Sequence, residues 1–225
     1  MSDARPSEDA RSAAAGGGHL PNHARPPLPI LQGERCLLRA LVPEDAPALV
    51  RHANNPAVAR NMFDGFPQPY DLAAATAWAT HEANSGEFGR VWAIVVDGGL
   101  IGCIGIKQDS GWLRCNAEIG YWIGEAYWRR GIVSDAMRQV TDWAFAAVPD
   151  LTRLHADIFA GNQGSQAVAR HCGYVREGVL RQSAIKDGVV IDRVVWASYR
   201  TQMARRTADI DAALAITAAN AMERS

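Results

Sequence analysis

The chain has 225 residues, 48% hydrophobic and 21% charged, which suffices for one globular core with tails. Its 23 Lys+Arg against 24 Asp+Glu leave a formal net charge of -1, excluding a global positive field that would draw it to nucleic acid or an acidic membrane, so any basic site must be local. Cys36, Cys103, Cys115 and Cys172 form no CxxC pair, so reduced, mostly buried thiols are expected instead of a disulfide scaffold.

Residues 1–30 are rich in Ala, Gly, Pro and Arg without hydrophobic periodicity, and a disordered tail is expected there. It has no apolar core of a secretory signal. The nearest approach to a membrane segment, VWAIVVDGGLIGCIGI, is broken by Asp97 and glycines, so a cytoplasmic protein is expected. A folded domain is expected over 31–200. ERCLLRAL reads as a strand, and VPEDAPALVRHAN as a helix opened by a proline and two acids. DLAAATAWATHEANSG reads as a second helix, with Asp71 as N-cap and Gly86 as its stop. RVWAIVVDGGLIGCIGIKQD gives two strands around Asp97-Gly98-Gly99, where glycine supplies the positive φ of a tight hairpin. NAEIGYWIG is a further strand in which Gly120 and Gly124 suggest a bulge or a close backbone approach.

Ile132, Ala136, Met137, Val140, Trp143, Ala144 and Ala147 then recur at helical spacing up to Pro149. The strand LTRLHADIFA, the short helix NQGSQAVARHCG, and two strands joined at Asp187-Gly188 complete a mixed α/β layer with a central crossover helix. Residues 201–225 carry a thin stripe of Met203, Ile210 and Leu214, expected as a helical extension.

The stretch YWRRGIVSDAM joins a strand to that central helix. A helix start leaves four backbone N–H groups without partners and carries partial positive charge, and Gly131 lets the backbone approach a ligand closely. Two readings stand on this segment alone: a solvated turn carrying Arg129 and Arg130, or an anion cradle.

In order and spacing, AEIGYWI (117–123), YWRRGIVSDA (127–136), NQGS (162–165), GYVREG (173–178) and KDGVVID (186–192) resemble the GNAT acetyltransferase superfamily. The resemblance covers about residues 33–200 and is nearest the Rim-type branch, the ribosomal-protein N-terminal acetyltransferases and their relatives. It implies a mixed, mainly antiparallel central sheet of about seven strands with flanking helices and a splayed centre. It also implies acetyl-CoA as cosubstrate, with its pyrophosphate on the amides of Arg129, Arg130, Gly131, Ile132, Val133 and Ser134. Pantetheine would run beside Tyr121, Trp122 and Ile123, and Asn162 would bond the cofactor or cap its own helix. Val133 departs from the family pattern, which has a small residue there, and crowds the loop.

Transfer of an acetyl group to an amine needs a neutral nucleophile and a proton for the leaving thiolate. Through the resemblance, Glu118 matches a strand acid that takes the amine proton through water, and Ser165 matches a serine near the cofactor sulfur. The tyrosine many relatives use is replaced by Ala169, and a second glutamate found in some branch members by Ala184.

The histidines, His155 and His171 among them, show no metal-ligand spacing, so no metal is expected, and they read as structural. Trp78, Trp112 and Trp128 are candidates to line an acceptor cleft. The acceptor implied is the α-amine of a protein or peptide. The alternatives are a small cationic amine, for which Asp64, Asp71 and Glu87 are available, or a degenerate acyl-CoA-binding module without catalysis. Acceptor selectivity is expected in residues 54–89 and in the hairpin 183–192. Edge strands and the C-terminal stripe permit a homodimer.

Overall fold

The computed structural model describes residues 28–82 and 89–201. Eight strands form one sheet in the order β1-β2-β3-β4-β5-β6-β8-β7. The strand beyond those expected is β1 (Leu31–Gln32), a two-residue edge piece paired with β2. β2 spans only Leu37–Ala40 because the backbone just before it bonds elsewhere: the N–H groups of Arg35 and Cys36 donate to Asp135 Oδ2 at 2.9 and 3.2 Å.

A 3-10 turn, Pro43–Asp45, leads into α1 (Ala46–Ala53). Asp45 anchors the turn, accepting from Arg39 Nη1 and Nη2 at 2.8 and 2.7 Å and from the Val42 N–H at 3.0 Å. A four-residue helix, α2 (Pro56–Ala59), follows an Asn55 cap and was not expected. α3 (Leu72–Ala77) starts as its sequence dictates, with the Asp71 carboxylate accepting the Ala74 N–H at 2.8 Å. It continues as a π-helical turn, Trp78–Glu82. Gly86, its expected stop, lies outside the described residues.

β3 (Arg90–Val96), β4 (Gly99–Gln108) and β5 (Asn116–Ile123) form an antiparallel meander. The first turn places Asp97 at φ 50° and Gly98 at φ 78°, the paired left-handed geometry of a tight hairpin. Val91 through Val95 are all buried, as happens when helices cover both faces of a strand. α4 (Ile132–Ala147) crosses over to β6 (Arg153–Phe159), which runs parallel to β5. α5 (Gln163–His171) and the hairpin of β7 (Val175–Lys186) and β8 (Val189–Tyr199) complete the fold.

Each face of the meander has its own core. Leu38, Trp92, Ile104, Ile119, Met137 and Val140 pack under α4. Leu49, Ala53, Tyr70, Ala93, Cys103 and Trp122 pack under α1 and α3. Gly124 makes the expected close approach, since a Cβ there would lie 2.6 Å from His52 Nδ1. The bulge suggested for Gly120 is absent: β4 and β5 pair in unbroken register, and a Cβ at Gly120 would meet open space. Most of residues 1–30 and the stripe of Met203, Ile210 and Leu214 fall outside the described residues. No helix among the described residues is long and apolar enough to cross a membrane.

Candidate active site

The cleft arises where the two central strands part. β5 pairs with β4 along its whole length, from Gln108↔Ala117 to Gly102↔Ile123. Its parallel pairing with β6 covers only Asn116↔Arg153, Ala117↔Leu154 and Glu118↔His155. Past Glu118 the sheet splays. The Gly124 N–H still bonds to Ile101 O (2.9 Å), so strand alternation turns the peptide groups of Ile119, Tyr121 and Ile123 toward the gap. The Ile123 carbonyl accepts from Trp128 Nε1 at 2.9 Å. Trp122 and Ile123 are themselves buried on opposite faces of the sheet, so what this end of β5 offers an extended, amide-bearing ligand is the gap-facing backbone of Tyr121 and Ile123.

At the far end of the gap stands the start of α4. Arg129 (φ 61°) and Gly131 (φ 73°) are both left-handed, and Gly131 is an N-cap with no side-chain bond. The first helical bond runs from the Asp135 N–H to Gly131 O at 3.0 Å, which leaves the amides of Ile132, Val133 and Ser134 without partners inside the helix. Arg129 and Arg130 are exposed, and the Arg130 guanidinium lies 5.3 Å from the centre of the Tyr127 ring. These groups fit a diphosphate: bare donors, a helix dipole and local positive charge. Val133 packs its side chain against the α4 core while lining the same cavity.

Arg35, which drew no notice in the sequence, is the third arginine here. Its Nη1 donates to Arg130 O at 3.4 Å, and a Cβ on Gly131 would lie 3.2 Å from its Nε. Asp135 holds it in place through the backbone bonds described above, and also accepts from Gln139 Nε2 at 3.2 Å. Burial, reinforced by Asp135, pushes the Cys36 thiol up to about 12, so Cys36 stays protonated beside that carboxylate. The readable signal was Asp135 itself, an acid in the first turn of a helix whose other buried residues carry no charge.

All ten residues expected at the cofactor line one cavity of about 1690 Å³, joined by Arg170 and His171. Glu118 lies in an adjoining cavity of about 390 Å³, with Asp157, Ala184 and Arg193. Tyr121, Asn162 and Ser165 belong to both, as do Asn61, Met62 and Phe159, and together they form the wall between them. On that wall Asn162 caps α5, accepting the Ser165 N–H at 3.0 Å, and the Ser165 hydroxyl shares a 2.7 Å bond with the Tyr121 hydroxyl. The phenol was not expected as part of this pair, because a cross-gap contact between β5 and α5 leaves no mark on local sequence. Burial raises the Tyr121 pKa, so the pair remains protonated and able to donate. Glu118 is exposed at the vertex of the splay, yet flanking protein desolvates its carboxylate and nearby Asp157 repels the negative charge. Both raise its pKa, against the pull of His155, Arg193 and Lys107. A carboxylate so tuned is a better base than one in open water.

Other expected positions fall elsewhere. Trp112 is 86% exposed on a turn and lines neither cavity, and Trp78 packs against the core under α1, while Trp128 does line the larger cavity. Asp64 accepts from Lys186 Nζ at 3.1 Å and from the Asp187 N–H at 3.3 Å, bridging the loop after α2 to the tip of the β7–β8 hairpin. Asp71 is committed to its cap, and Glu87 lies outside the described residues.

A half-parted sheet, a bare helix start facing the gap, and an acid with a hydroxyl pair at its vertex make up the cleft, which fits an extended, anionic ligand. Residues 35–175 match the acetyltransferase (GNAT) domain family, and the chain belongs to it as an N-acetyltransferase. The uncharacterized N-acetyltransferase YoaA of Bacillus subtilis is 28% identical over 183 residues, covering 75% of this chain and 96% of that one. The ribosomal-protein-serine acetyltransferase of Escherichia coli is 30% identical over 96 residues, 43% of this chain and 52% of that one. Mycobacterium smegmatis RimJ, solved in complex with CoA-disulfide, superposes with a TM-score of 0.69 at 24% identity over 77% of this chain and 88% of that one.

Proposed function

We propose that the enzyme transfers the acetyl group of acetyl-CoA to the N-terminal α-amine of a protein or peptide. The diphosphate would rest on the amides of Ile132, Val133 and Ser134 with Arg129, Arg130 and Arg35 around it, and pantetheine would pair with the β5 edge at Tyr121 and Ile123. In this reading Glu118 accepts the amine proton, and the Ser165–Tyr121 hydroxyl pair supplies one to the leaving thiolate. Val133 is accommodated because its side chain packs against the core.

The observation that carries the acceptor class is the commitment of the nearby acids. Asp64 is paired with Lys186, Asp71 caps its helix, and neither lines either cavity, so neither is placed to hold a polycationic small molecule there. What flanks the acceptor side is apolar, with Phe63 56% and Ile185 64% exposed on the loop and hairpin bordering the smaller cavity. An apolar mouth over a single raised-pKa acid suits a chain end carrying side chains. The name of the Escherichia coli relative points the same way. An α-amine has a pKa of roughly 8 against roughly 10.4 for lysine, so one carboxylate suffices as its base.

Free coenzyme A released from acetyl-CoA tests this with panels of peptides and of small amines. Release with free peptide N-termini, lost when the α-amine is blocked, is the expected result. Release only with polyamines, aminoglycosides or amino-acid analogues would overturn the acceptor class.

A further inference from the structure

A charged cluster surrounds the imidazole of His155, on the strand opposite Glu118. The two residues are direct partners in the parallel β5–β6 ladder, on the same face of the sheet, with strands about 4.8 Å apart. Glu118 is also the last β5 residue in that ladder, so His155 is the final paired residue behind the vertex of the cleft. On the other side, His155 Nδ1 lies 3.0 Å from Asp157 Oδ1, and Asp157 Oδ2 accepts from Arg193 Nη1 at 2.7 Å. Both members of the His155–Asp157 pair are largely enclosed, at 16% and 13% side-chain exposure. The hydrogen bond from His155, followed by other charges, holds Asp157 below the usual carboxylate range, so Asp157 only accepts. Donation to that carboxylate uses the Nδ1 hydrogen and leaves Nε2 as the ring nitrogen open to proton exchange.

We infer that His155, oriented by Asp157 and Arg193, receives the proton that Glu118 takes from the acceptor amine and passes it to solvent. The inference rests on Glu118 as the base. The proton count motivates it. An acceptor arriving as an ammonium loses two protons overall as the N–C bond to the acetyl carbonyl carbon forms and the C–S bond breaks. One goes to the thiolate sulfur, giving the free thiol, and the other must leave the protein. Glu118 cannot turn over until it has lost that second proton. His155 lines neither cavity, so it acts through Glu118 and is a positioning and relay residue that does not itself touch the amine. β7 is mostly exposed, which gives the proton a route out. Glu118 on β5, Asp157 on its own strand and Glu177 on β7 act on the ring, and the charged or titratable groups around those three carboxylates are Lys107 on β4, Arg153 on its own strand, and Arg193 and Tyr199 on β8.

The test compares kcat against pH for wild type, His155→Gln, Asp157→Asn and Glu118→Gln, with saturating acetyl-CoA and a peptide acceptor. Thermal melting and acetyl-CoA affinity serve as folding controls. His155→Gln keeps a donor for Asp157 but cannot carry a proton, and a loss in kcat of about tenfold or more near neutral pH is expected. That deficit should shrink as rising pH deprotonates the amine in solution, while affinity for acetyl-CoA is unchanged. Asp157→Asn, which leaves the imidazole without its anionic partner, should show the same pH-dependent deficit and carries the test if the His155 variant melts early. A loss equal at every pH, or no loss, overturns the relay. Full activity in Glu118→Gln would instead overturn the base on which the relay depends, whereas a slow Glu118→Gln beside a fully active His155→Gln removes the relay alone.

Discussion

At the Gly131 end of the cleft the polar groups on offer are backbone amides, presented by one loop and the helix that follows it. At the Glu118 end they are side chains from separate strands, brought together by register. The first kind of site depends on conformation at a few consecutive residues, and it tolerates exchange of the side chains around it. The second depends on the identity of each side chain and on sheet pairing that no short stretch contains. Substitutions should therefore act differently at the two ends, through backbone strain at one and through single functional atoms at the other.

The largest effect is expected at the vertex. Glu118→Gln keeps size and hydrogen bonding but removes the proposed base, and kcat should fall about 10²- to 10⁴-fold with acetyl-CoA affinity unchanged. Isothermal titration beside steady-state rates checks both halves of that statement. If affinity falls with the rate, the two ends are not separable as described.

Next in size is Asp135→Ala, which strikes the support of the backbone site. The variant strands the N–H groups of Arg35 and Cys36 and removes one of the three acceptors of Gln139 Nε2. At roughly 1–3 kcal/mol for each buried donor left unmade, a destabilisation of about 3 kcal/mol is expected by urea unfolding. Since the same bonds place Arg35 beside Gly131, acetyl-CoA binding should weaken as well. Loss of stability with binding intact would show that Arg35 has no part in the cradle.

Gly131→Val tests the cradle directly. A β-branched residue at φ 73° is strained, and its Cβ would crowd Arg35 Nε at 3.2 Å. About 2 kcal/mol of strain corresponds to roughly a thirtyfold weaker affinity for acetyl-CoA if the loop deforms to relieve it. The acceptor end is untouched by this change, so acceptor KM at saturating acetyl-CoA should stay put.

The contrast also explains what could be read from the sequence. Asp71 capping α3, the Asp97–Gly98 turn and the Gly131 helix start were legible because each is a local pattern with a local cause. The same holds for α4, whose apolar period runs to Pro149. Gly120 misled, since a glycine in a strand can mark an open space as readily as a bulge. β2 came out short because a carboxylate a hundred residues away took its leading amides. The Tyr121–Ser165 hydroxyl pair and the His155–Asp157–Arg193 chain were illegible for the same reason: each spans elements whose contact is decided by register and splay, so His155 read as an ordinary structural histidine.

The smallest expected effect concerns the rim of the side-chain region. Glu177 accepts from both Arg153 and the Tyr199 hydroxyl, joining β7 to β6 and β8. Chiefly through Arg153, its carboxyl is lowered from 4.5 to about 2. A group whose folded pKa is depressed adds stability that is fully present above its unfolded pKa and is lost as pH falls through the folded one. Glu177→Gln should therefore cost stability at pH 7, on the order of 1 kcal/mol for a partly solvated pair. The gap between wild type and variant should close as pH drops from 4.5 toward 2. Urea midpoints measured across that range would show it. Because Glu177 also faces the His155 ring, the pH dependence of kcat in this variant separates support from chemistry: an unchanged profile places Glu177 in the frame of the hairpin, and a displaced one ties it to the proton route behind Glu118.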